Sequence, residues 1–210
     1  MRIALFGGTR GTGRLVMMQA LEAGWGVKAL ARNPEAVPPE AGVEVIAGDA
    51  LDPGAVIRTI TGCDAVVSCL GPALKSKHDR ASRGTVCTQF TRSLLPAMEK
   101  FSISRLVVVS TLGAGETKHQ IPLLMRPVFA TIMRSMITDR ERQEALIRQS
   151  SLDWTIIRPG GLTDTTQPHA PRIGTDTETT AGAISRDAVA SFIIQEVKDG
   201  TYRHQTPYIT

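Results

Sequence analysis

Four glycines follow a short apolar run near the beginning of the chain. The stretch RIALFGGTRGTGRLV, residues 2–16, places them at positions 7, 8, 11 and 13. A glycine-rich turn between a strand and a helix lets backbone N–H groups approach a pyrophosphate and points the positive end of the helix dipole at it. An ordinary strand-to-helix turn also needs a glycine, but the position after the first strand of a βαβ series favours phosphate binding. We therefore predict a dinucleotide site formed by Gly7, Thr9, Arg10, Gly11, Thr12 and Gly13.

Two arginines indicate which dinucleotide this site would bind. A site selective for NAD carries Asp or Glu about 20 residues after the glycines, where the carboxylate accepts hydrogen bonds from the ribose 2′-hydroxyl. Here the run VKALARNP contains Arg32, and the next acid is Glu35. A guanidinium suits a 2′-phosphate, and Arg10 supplies a second positive charge, although both could be solvated surface residues. We predict NADP(H) as the cofactor.

Strand-like and helix-like segments alternate along the chain and would position this site. The strand-like runs are apolar on both faces, as strands of a covered parallel sheet must be, and a longer amphipathic stretch follows each one. The predicted fold class is α/β, a single doubly wound Rossmann-type domain over residues 1–210 with a mostly parallel sheet. Its predicted strands are RIALF, GVKALA, VEVIAG, DAVVSCL, RLVVVS and WTIIRP, and its predicted helices cover about 11–23, 53–61, 79–100, 120–150 and 186–199.

Composition limits the classes of partner and site. The net charge is +4, but the 24 Lys and Arg are scattered among 20 acids, so we expect no nucleic-acid partner. Cys63, Cys69 and Cys87 fit neither a disulfide framework nor a metal-ligand spacing, so we expect reduced thiols and no metal. No segment reads as a signal peptide or a membrane span, and we therefore expect a cytoplasmic protein with no membrane partner.

Several segments resemble the short-chain dehydrogenase/reductase superfamily, whose opening motif is often written T-G-x-x-x-G-x-G. The glycines at 7, 11 and 13 have that spacing, and the resemblance continues through AGDALD, VVSCLGP, LVVVSTLGAG, SLDWTIIRPGGLTD and ISRDAVASFI, over nearly the whole chain. Together they look most like the small atypical NAD(P)H-binding members, which include NmrA-like regulators and biliverdin-IXβ and flavin reductase-like proteins. Those members usually carry G-x-x-G-x-x-G, so Arg10 replaces their middle glycine and the bend around the phosphates is expected to differ.

The resemblance implies further cofactor contacts at the carboxyl ends of the strands, where open α/β sheets bind ligands. The implied contacts are Asp49 and Ala50 at the adenine, Leu70 and Gly71 where the cofactor passes close to the backbone, and Pro159 and Gly160 along the nicotinamide. The alternative role for Asp49 is a helix cap or a turn. The alternative for Pro159 and Gly160 is a simple strand-ending turn.

The residues that would do chemistry depart from the superfamily's pattern. A typical reductase of this superfamily uses Tyr-x-x-x-Lys on the helix after the fifth strand, with the phenol as proton donor. This chain has only Tyr202 and Tyr208, and the helical stretch ITDRERQEALIRQS has neither tyrosine nor lysine. The superfamily places a substrate-orienting hydroxyl at the end of the fifth strand, which implies Thr111, the better match, or Ser110. A hydroxyl that only bonds the loop backbone is the alternative.

Three functions are compatible with this pattern. An NADPH-dependent oxidoreductase would pass hydride to a small-molecule acceptor of flavin, quinone or tetrapyrrole type, and the product would take its proton from solvent. The alternatives are an NmrA-like redox sensor that binds NADP(H) without turnover and a sugar-nucleotide epimerase/dehydratase-like enzyme. The fold alone does not choose among them.

Other segments leave alternatives open. Residues 121–137, IPLLMRPVFATIMRSMI, fit an apolar wall over the nicotinamide, a piece of core or a dimer face. Lys118 and His119 could face an anionic substrate or solvent. The polar stretch 163–182 is predicted to be a surface loop, whether or not it closes as a lid, and the protein is expected to be a monomer or a homodimer.

Overall fold

The computed structural model describes residues 1–71, 84–120, 133–165, 169–176 and 182–210. Six parallel strands lie side by side in one sheet, in the order β3-β2-β1-β4-β5-β6. They are β1 (Arg2–Phe6), β2 (Gly26–Ala31), β3 (Val43–Ala47), β4 (Ala65–Ser68), β5 (Arg105–Val109) and β6 (Asp153–Pro159). Each coincides with a predicted strand to within three residues at either end.

Helices connect these strands and cover both faces of the sheet. The described helices are α1 (Gly11–Glu22), α2 (Pro53–Ile60), α3 (Val86–Lys100), α4 (Arg134–Arg148) and α5 (Arg186–Asp199). The predicted helix over 79–100 begins later, at residue 86, and its first five residues lie outside the described part. The predicted helix over 120–150 corresponds to α4, while residues 115–120 form a 3-10 turn and 121–132 lie outside the described residues.

Alternation along β1 shows why both faces need cover. Ile3 and Leu5 pack with α1 and α5, whereas Ala4 and Phe6 pack with α2 and α3. Successive side chains of a strand point to opposite faces, so a strand that is apolar throughout supplies two cores. The predicted doubly wound α/β fold is confirmed.

Four short strands were missed by the sequence pattern. β7 (Gly161–Thr163) and β9 (Ala183–Ser185) pair parallel in a separate two-stranded sheet. β10 (Tyr208–Ile209) extends the main sheet beside β6, and β8 (Ile173–Gly174) pairs antiparallel with β10. The prediction of one irregular loop over 163–182 is therefore wrong at β8, because pairing with the distant end of the chain makes residues 173–174 a strand. Residues 166–168 and 177–181 lie outside the described part.

A buried carboxylate fixes the relative position of α3 and α4 beside the sheet. Asp139 of α4 accepts hydrogen bonds from the backbone N–H groups of Cys87 and Thr88 at 2.8 and 2.9 Å. These N–H groups belong to the first turn of α3, where no preceding carbonyl is available to accept from them. Asp139 thus caps α3 from a neighbouring helix and holds α4 in register with it. In the part of the chain that the structure describes, no helix is long and apolar enough to cross a membrane.

Candidate cofactor cleft and active site

A cleft of about 670 Å³ opens at the carboxyl ends of the parallel strands. Residues after β1, β2, β3, β4 and β5 line it, and the strand order reverses between β1 and β4 beneath it. Such a switch point is where open α/β sheets bind ligands, because the loops on either side diverge to opposite faces. The cleft is therefore the candidate functional site.

The glycine-rich loop between β1 and α1 passes very close to its neighbours. Gly7 has φ of +84°, and a Cβ added there would lie 2.7 Å from the backbone carbonyl carbon of Cys69. A Cβ on Gly13 would lie 2.1 Å from the carbonyl oxygen of Gly7, so α1 packs against the loop at a distance that only glycine permits. Close backbone packing therefore requires glycine at both positions.

The beginning of α1 has polar groups directed at this loop. Gly11 begins the helix, and the side chain of Arg10 at the N-cap makes no capping hydrogen bond. The buried hydroxyl of Thr12 has no hydrogen-bond partner in the described structure, although the residue lines the cleft. A buried polar group without a partner is costly, and an anionic ligand at the helix N-terminus would supply one.

The cleft lining contains most of the residues predicted to bind cofactor. Gly7, Thr9, Arg10, Gly11, Thr12 and Gly13 line it from the glycine loop, Arg32 from the end of β2, Asp49 and Ala50 from the end of β3, and Leu70 and Gly71 from the end of β4.

Asp49 already takes part in a turn. One of its carboxylate oxygens accepts a hydrogen bond from the backbone N–H of Leu51 at 2.9 Å. The turn role considered from the sequence is thus present, and the residue also lines the cleft. Its contact with adenine stays a prediction.

Pro159 and Gly160 are not among the described residues that line the cleft. The Pro159 carbonyl accepts from the N–H of Leu112 at 3.1 Å, and the Gly160 N–H donates to the carbonyl of Ile209 at 2.9 Å. The first hydrogen bond ties the end of β6 to the segment after β5, and the second ties Gly160, just after β6, to β10. Their contact with nicotinamide stays a prediction.

The two predicted hydroxyls at the end of β5 differ in position. Ser110 is buried and lines the cleft, and its hydroxyl donates to Glu144 at 2.6 Å. Thr111 is not among the described lining residues, and its hydroxyl donates to the carbonyl of Leu112 at 3.0 Å. The geometry therefore favours Ser110 over Thr111, which the sequence pattern had preferred.

A buried ionic network lies directly behind Ser110. Arg158 of β6 donates to Glu144 at 2.6 Å and to Glu116 at 2.8 Å. Burial by itself would lower the pKa of Arg158, but its hydrogen bonds to the two carboxylates outweigh burial and raise the pKa above its ordinary value. Burial would raise the pKa of Glu116, but hydrogen bonding and the charge of Arg158 lower it on balance. The network holds the acceptor of the Ser110 hydroxyl in one place.

Two further arginines line the cleft that the sequence pattern did not single out. Arg140 of α4 donates to the carbonyl of Leu70 at 2.7 Å and thereby supports the backbone at the end of β4. Arg186, the first residue of α5, pairs with Asp164 at 2.7 Å, and both line the cleft. Arg186 stands in the segment ISRDAVASFI, for which the resemblance implied no residue role, and Arg140 stands in no recognised motif, so only their position at the carboxyl edge of the sheet marks them.

The thiols and phenols do not offer reactive groups to the cleft. Cys69 lines it, but burial raises the pKa of its thiol to about 12, so the thiol stays protonated at neutral pH. The Tyr208 hydroxyl donates to Asp176 at 2.8 Å, and the Tyr202 ring packs edge-on against Phe192.

The side chains of Lys118 and His119, and most of the segment 121–137, lie outside the described residues.

Comparison with known families bears on the cofactor. A family described as NAD(P)H-binding matches residues 7–200. The chain belongs to this NAD(P)H-binding family. The match includes every residue of the cleft lining except Phe6. It confirms a nicotinamide dinucleotide as the cofactor class and the expected resemblance to NAD(P)H-binding proteins.

Two proteins similar to this chain are named as reductases. The reductase pytE of Aspergillus terreus is 25% identical over 242 residues, which cover 94% of this chain and 92% of pytE. Among solved structures, one similar protein is ChuY of Escherichia coli O157:H7, described as an anaerobillin reductase. The TM-score is 0.83 at 24% sequence identity, and the similarity covers 100% of this chain and 96% of the ChuY chain.

A short-chain dehydrogenase/reductase of the wide type from Veillonella parvula, solved in complex with NADP, has a TM-score of 0.79 at 18% identity. The similarity covers 99% of this chain and 93% of that one. At such identities the solved structures establish the fold.

Proposed function

We propose that this protein is an NADPH-dependent oxidoreductase that reduces a small aromatic or conjugated acceptor of flavin, quinone or tetrapyrrole type. The observation that carries the proposal is the cleft, whose lining brings together the glycine loop, Arg10, Arg32 and Ser110. The reductase-named relative that matches over almost the full chain supports the same class of reaction.

The residues of the cleft fit a dinucleotide. Gly7 and Gly13 let the loop and α1 pack at distances that a Cβ would forbid, and the buried Thr12 hydroxyl, which has no partner among the described residues, would gain one in a phosphate oxygen. Arg32 and Arg10 would bind the 2′-phosphate, each through charge-assisted hydrogen bonds of about 1.5–3 kcal/mol. Two such contacts favour NADPH over NADH by a factor of at least about a hundred. Bound NADPH would supply a hydride from its nicotinamide ring.

The direction of the Ser110 hydrogen bond limits what the protein itself contributes. Because the Ser110 proton is donated to Glu144, the hydroxyl oxygen offers lone pairs to the cleft. Ser110 therefore accepts a hydrogen bond from an N–H or O–H of the substrate or the nicotinamide amide, and it is not a proton donor. Described residues 134–148 of α4 include neither tyrosine nor lysine to replace it.

An acceptor that needs no protein acid suits this site best. Flavins, quinones and extended tetrapyrroles stabilise the added electron pair over a conjugated system and take their proton from water. The protein then binds the two reactants and orients them, which by itself supplies a large part of the acceleration. Ordinary carbonyl reduction, which needs a positioned acid, fits less well.

A redox sensor that binds NADP(H) without turnover is the second candidate, and the absence of tyrosine and lysine from residues 134–148 of α4 is the observation that favours it. The test is NADPH oxidation followed by the absorbance of the reduced nicotinamide, with FMN, a small quinone and biliverdin added in turn and NADH run in parallel. Arg32→Ala is the variant, and Arg142→Ala, an exposed arginine of α4, is the matched control.

Turnover with one acceptor that is lost in Arg32→Ala, kept in Arg142→Ala and weak with NADH supports the reductase. Tight NADPH binding without oxidation by any acceptor supports the sensor.

A further inference from the structure

The two short strands outside the main sheet bring an ion pair to the cleft. β7 and β9 run parallel with Thr163 opposite Ser185 as their last pair. The residues that follow, Asp164 and Arg186, therefore leave the ladder side by side, and an Arg186 guanidinium nitrogen lies 2.7 Å from the Asp164 carboxylate. Their side chains differ in exposure, 87% for Asp164 and 26% for Arg186.

The Arg186 guanidinium also lies beside the glycine loop. A Cβ built on Gly11 would be 3.5 Å from Nε of Arg186 and 3.6 Å from its Cδ. Gly11 is the first residue of α1, where the positive end of the helix dipole faces the cleft. The cation and the helix N-terminus thus face the same volume, and Thr12 is also among the residues that line it.

We propose that Arg186 binds the pyrophosphate of the cofactor and that Asp164 competes with the pyrophosphate for the same guanidinium. The inference rests on the cofactor site of the proposed function. Asp164 is an exposed carboxylate, so its pairing with Arg186 contributes little and gives way readily to a pyrophosphate, which carries two negative charges. The planar guanidinium of Arg186 can form two parallel hydrogen bonds to phosphate oxygens. This interaction is stronger than the ion pair between Arg186 and the solvent-exposed Asp164.

Asp164 then has a function of its own. A carboxylate next to the pyrophosphate repels it and offers Arg186 an alternative partner each time the nucleotide moves away. Asp164 therefore weakens nucleotide binding and speeds release. In a reductase, oxidised cofactor must leave before the next reduced one binds, so this competition promotes cofactor exchange.

The two basic positions are distinguishable because they face different phosphates. NADPH and NADH share the pyrophosphate and differ in the 2′-phosphate. Loss of Arg186 should weaken both nucleotides by the same factor, about tenfold for one charge-assisted contact. Loss of Arg32 should weaken NADPH alone.

The experiment measures Kd for NADPH and for NADH by nicotinamide fluorescence in wild type, Arg186→Ala, Asp164→Asn, the double variant, Arg32→Ala and the exposed control Arg142→Ala. We expect Arg186→Ala to raise both Kd values equally and Asp164→Asn to lower both several-fold. The gain from Asp164→Asn should vanish in the double variant, because it acts through Arg186.

Two results would overturn the inference while the proposed function stood. One is an Arg186→Ala variant with both Kd values equal to those of Arg142→Ala. The other is an Asp164→Asn variant that binds both nucleotides more weakly, which would mean that the ion pair only supports the β7–β9 sheet. If the wild type bound neither nucleotide, the proposed function would fail together with the inference. Binding with the expected pattern but no acceptor reduction would overturn the reductase alone.

Discussion

The Ser110 hydroxyl donates a 2.6 Å hydrogen bond to the carboxylate of Glu144, which lies behind the wall of the cleft on α4. Glu144 is 1% exposed and pairs in turn with Arg158, also 1% exposed. The serine at the site is thus oriented by the buried ion pair of Glu144 and Arg158, which Glu116 extends to the surface. The consequence is a hydroxyl with a fixed donor direction and free lone pairs on the side of the cleft.

Replacement of Ser110 by Ala should lower kcat/KM for the acceptor by about five- to tenfold, the value of one ordinary hydrogen bond made by a bound reactant. Thr111→Ala is the matched control and should change it less than about twofold, because the Thr111 hydroxyl is bonded to the loop backbone. Steady-state kinetics with both variants distinguishes the two residues. If Thr111→Ala lowered kcat/KM more than Ser110→Ala, Thr111 would be the residue that orients the substrate, as the sequence pattern predicts.

Glu144→Gln should destabilise the fold because it removes the charge that pairs with a fully buried guanidinium. Breaking one partner of a buried pair costs about 3–5 kcal/mol. The amide oxygen of Gln can still accept a hydrogen bond from Arg158, but among the described residues Glu116 would be the only carboxylate left in an ion pair with it. Urea denaturation gives the free energy of unfolding. Glu99→Gln, the same change on an exposed face of α3, is the control. Equal stability of the two variants would show that the network contributes little.

Glu116 should make stability depend on pH in the acid range. Its pKa is lowered in the folded protein, so its contribution is fully present above the unfolded pKa of about 4.3 and is lost as the pH falls through the lower folded value. Glu116→Gln removes this contribution. The free energy of unfolding of the variant, measured from about pH 6 to about pH 3, should therefore fall less steeply than that of wild type. If the free energy of unfolding fell equally steeply with pH in wild type and in Glu116→Gln, Glu116 would not be the source of this pH dependence.

Gly13→Ala should abolish tight cofactor binding and destabilise the fold. The added Cβ would lie 2.1 Å from the carbonyl oxygen of Gly7, and a backbone atom cannot relieve the clash by a change of rotamer. Overpacking of this kind costs about 1–3 kcal/mol or more and would move the glycine loop away from α1. Gly161→Ala is the control, because its Cβ would make only an ordinary 3.8 Å contact. Thermal melts with and without NADPH measure both effects, and an unchanged shift on adding NADPH would contradict the prediction.

The sequence pattern predicted the parts of the fold that local composition determines. β1 to β6 are apolar on both faces and each is long enough to show it, and the glycine loop is contiguous, so both were predictable. β7 to β10 have two or three residues each, too few for a period, and they exist only because distant segments meet. Single-sequence patterns carry no information about such pairing.

The same reason explains the site residues that were missed. Arg140 lines the cleft because Asp139 fastens α4 to α3, and Arg186 lines it because β9 pairs with β7. Both depend on contacts between segments far apart in the chain. The choice between Ser110 and Thr111 depended on which of two adjacent side chains turns toward the cleft where β5 ends, and the sequence alone did not determine that.

Anaerobic rapid mixing would test the reductase most directly. The preformed complex with NADPH is mixed with FMN, a small quinone or biliverdin, and the absorbances of the nicotinamide and of the acceptor are followed together. We predict that with one acceptor the two signals change at the same rate and with one acceptor reduced per NADPH oxidised. Bound NADPH that stays reduced with all three acceptors would contradict the proposed function and favour the sensor.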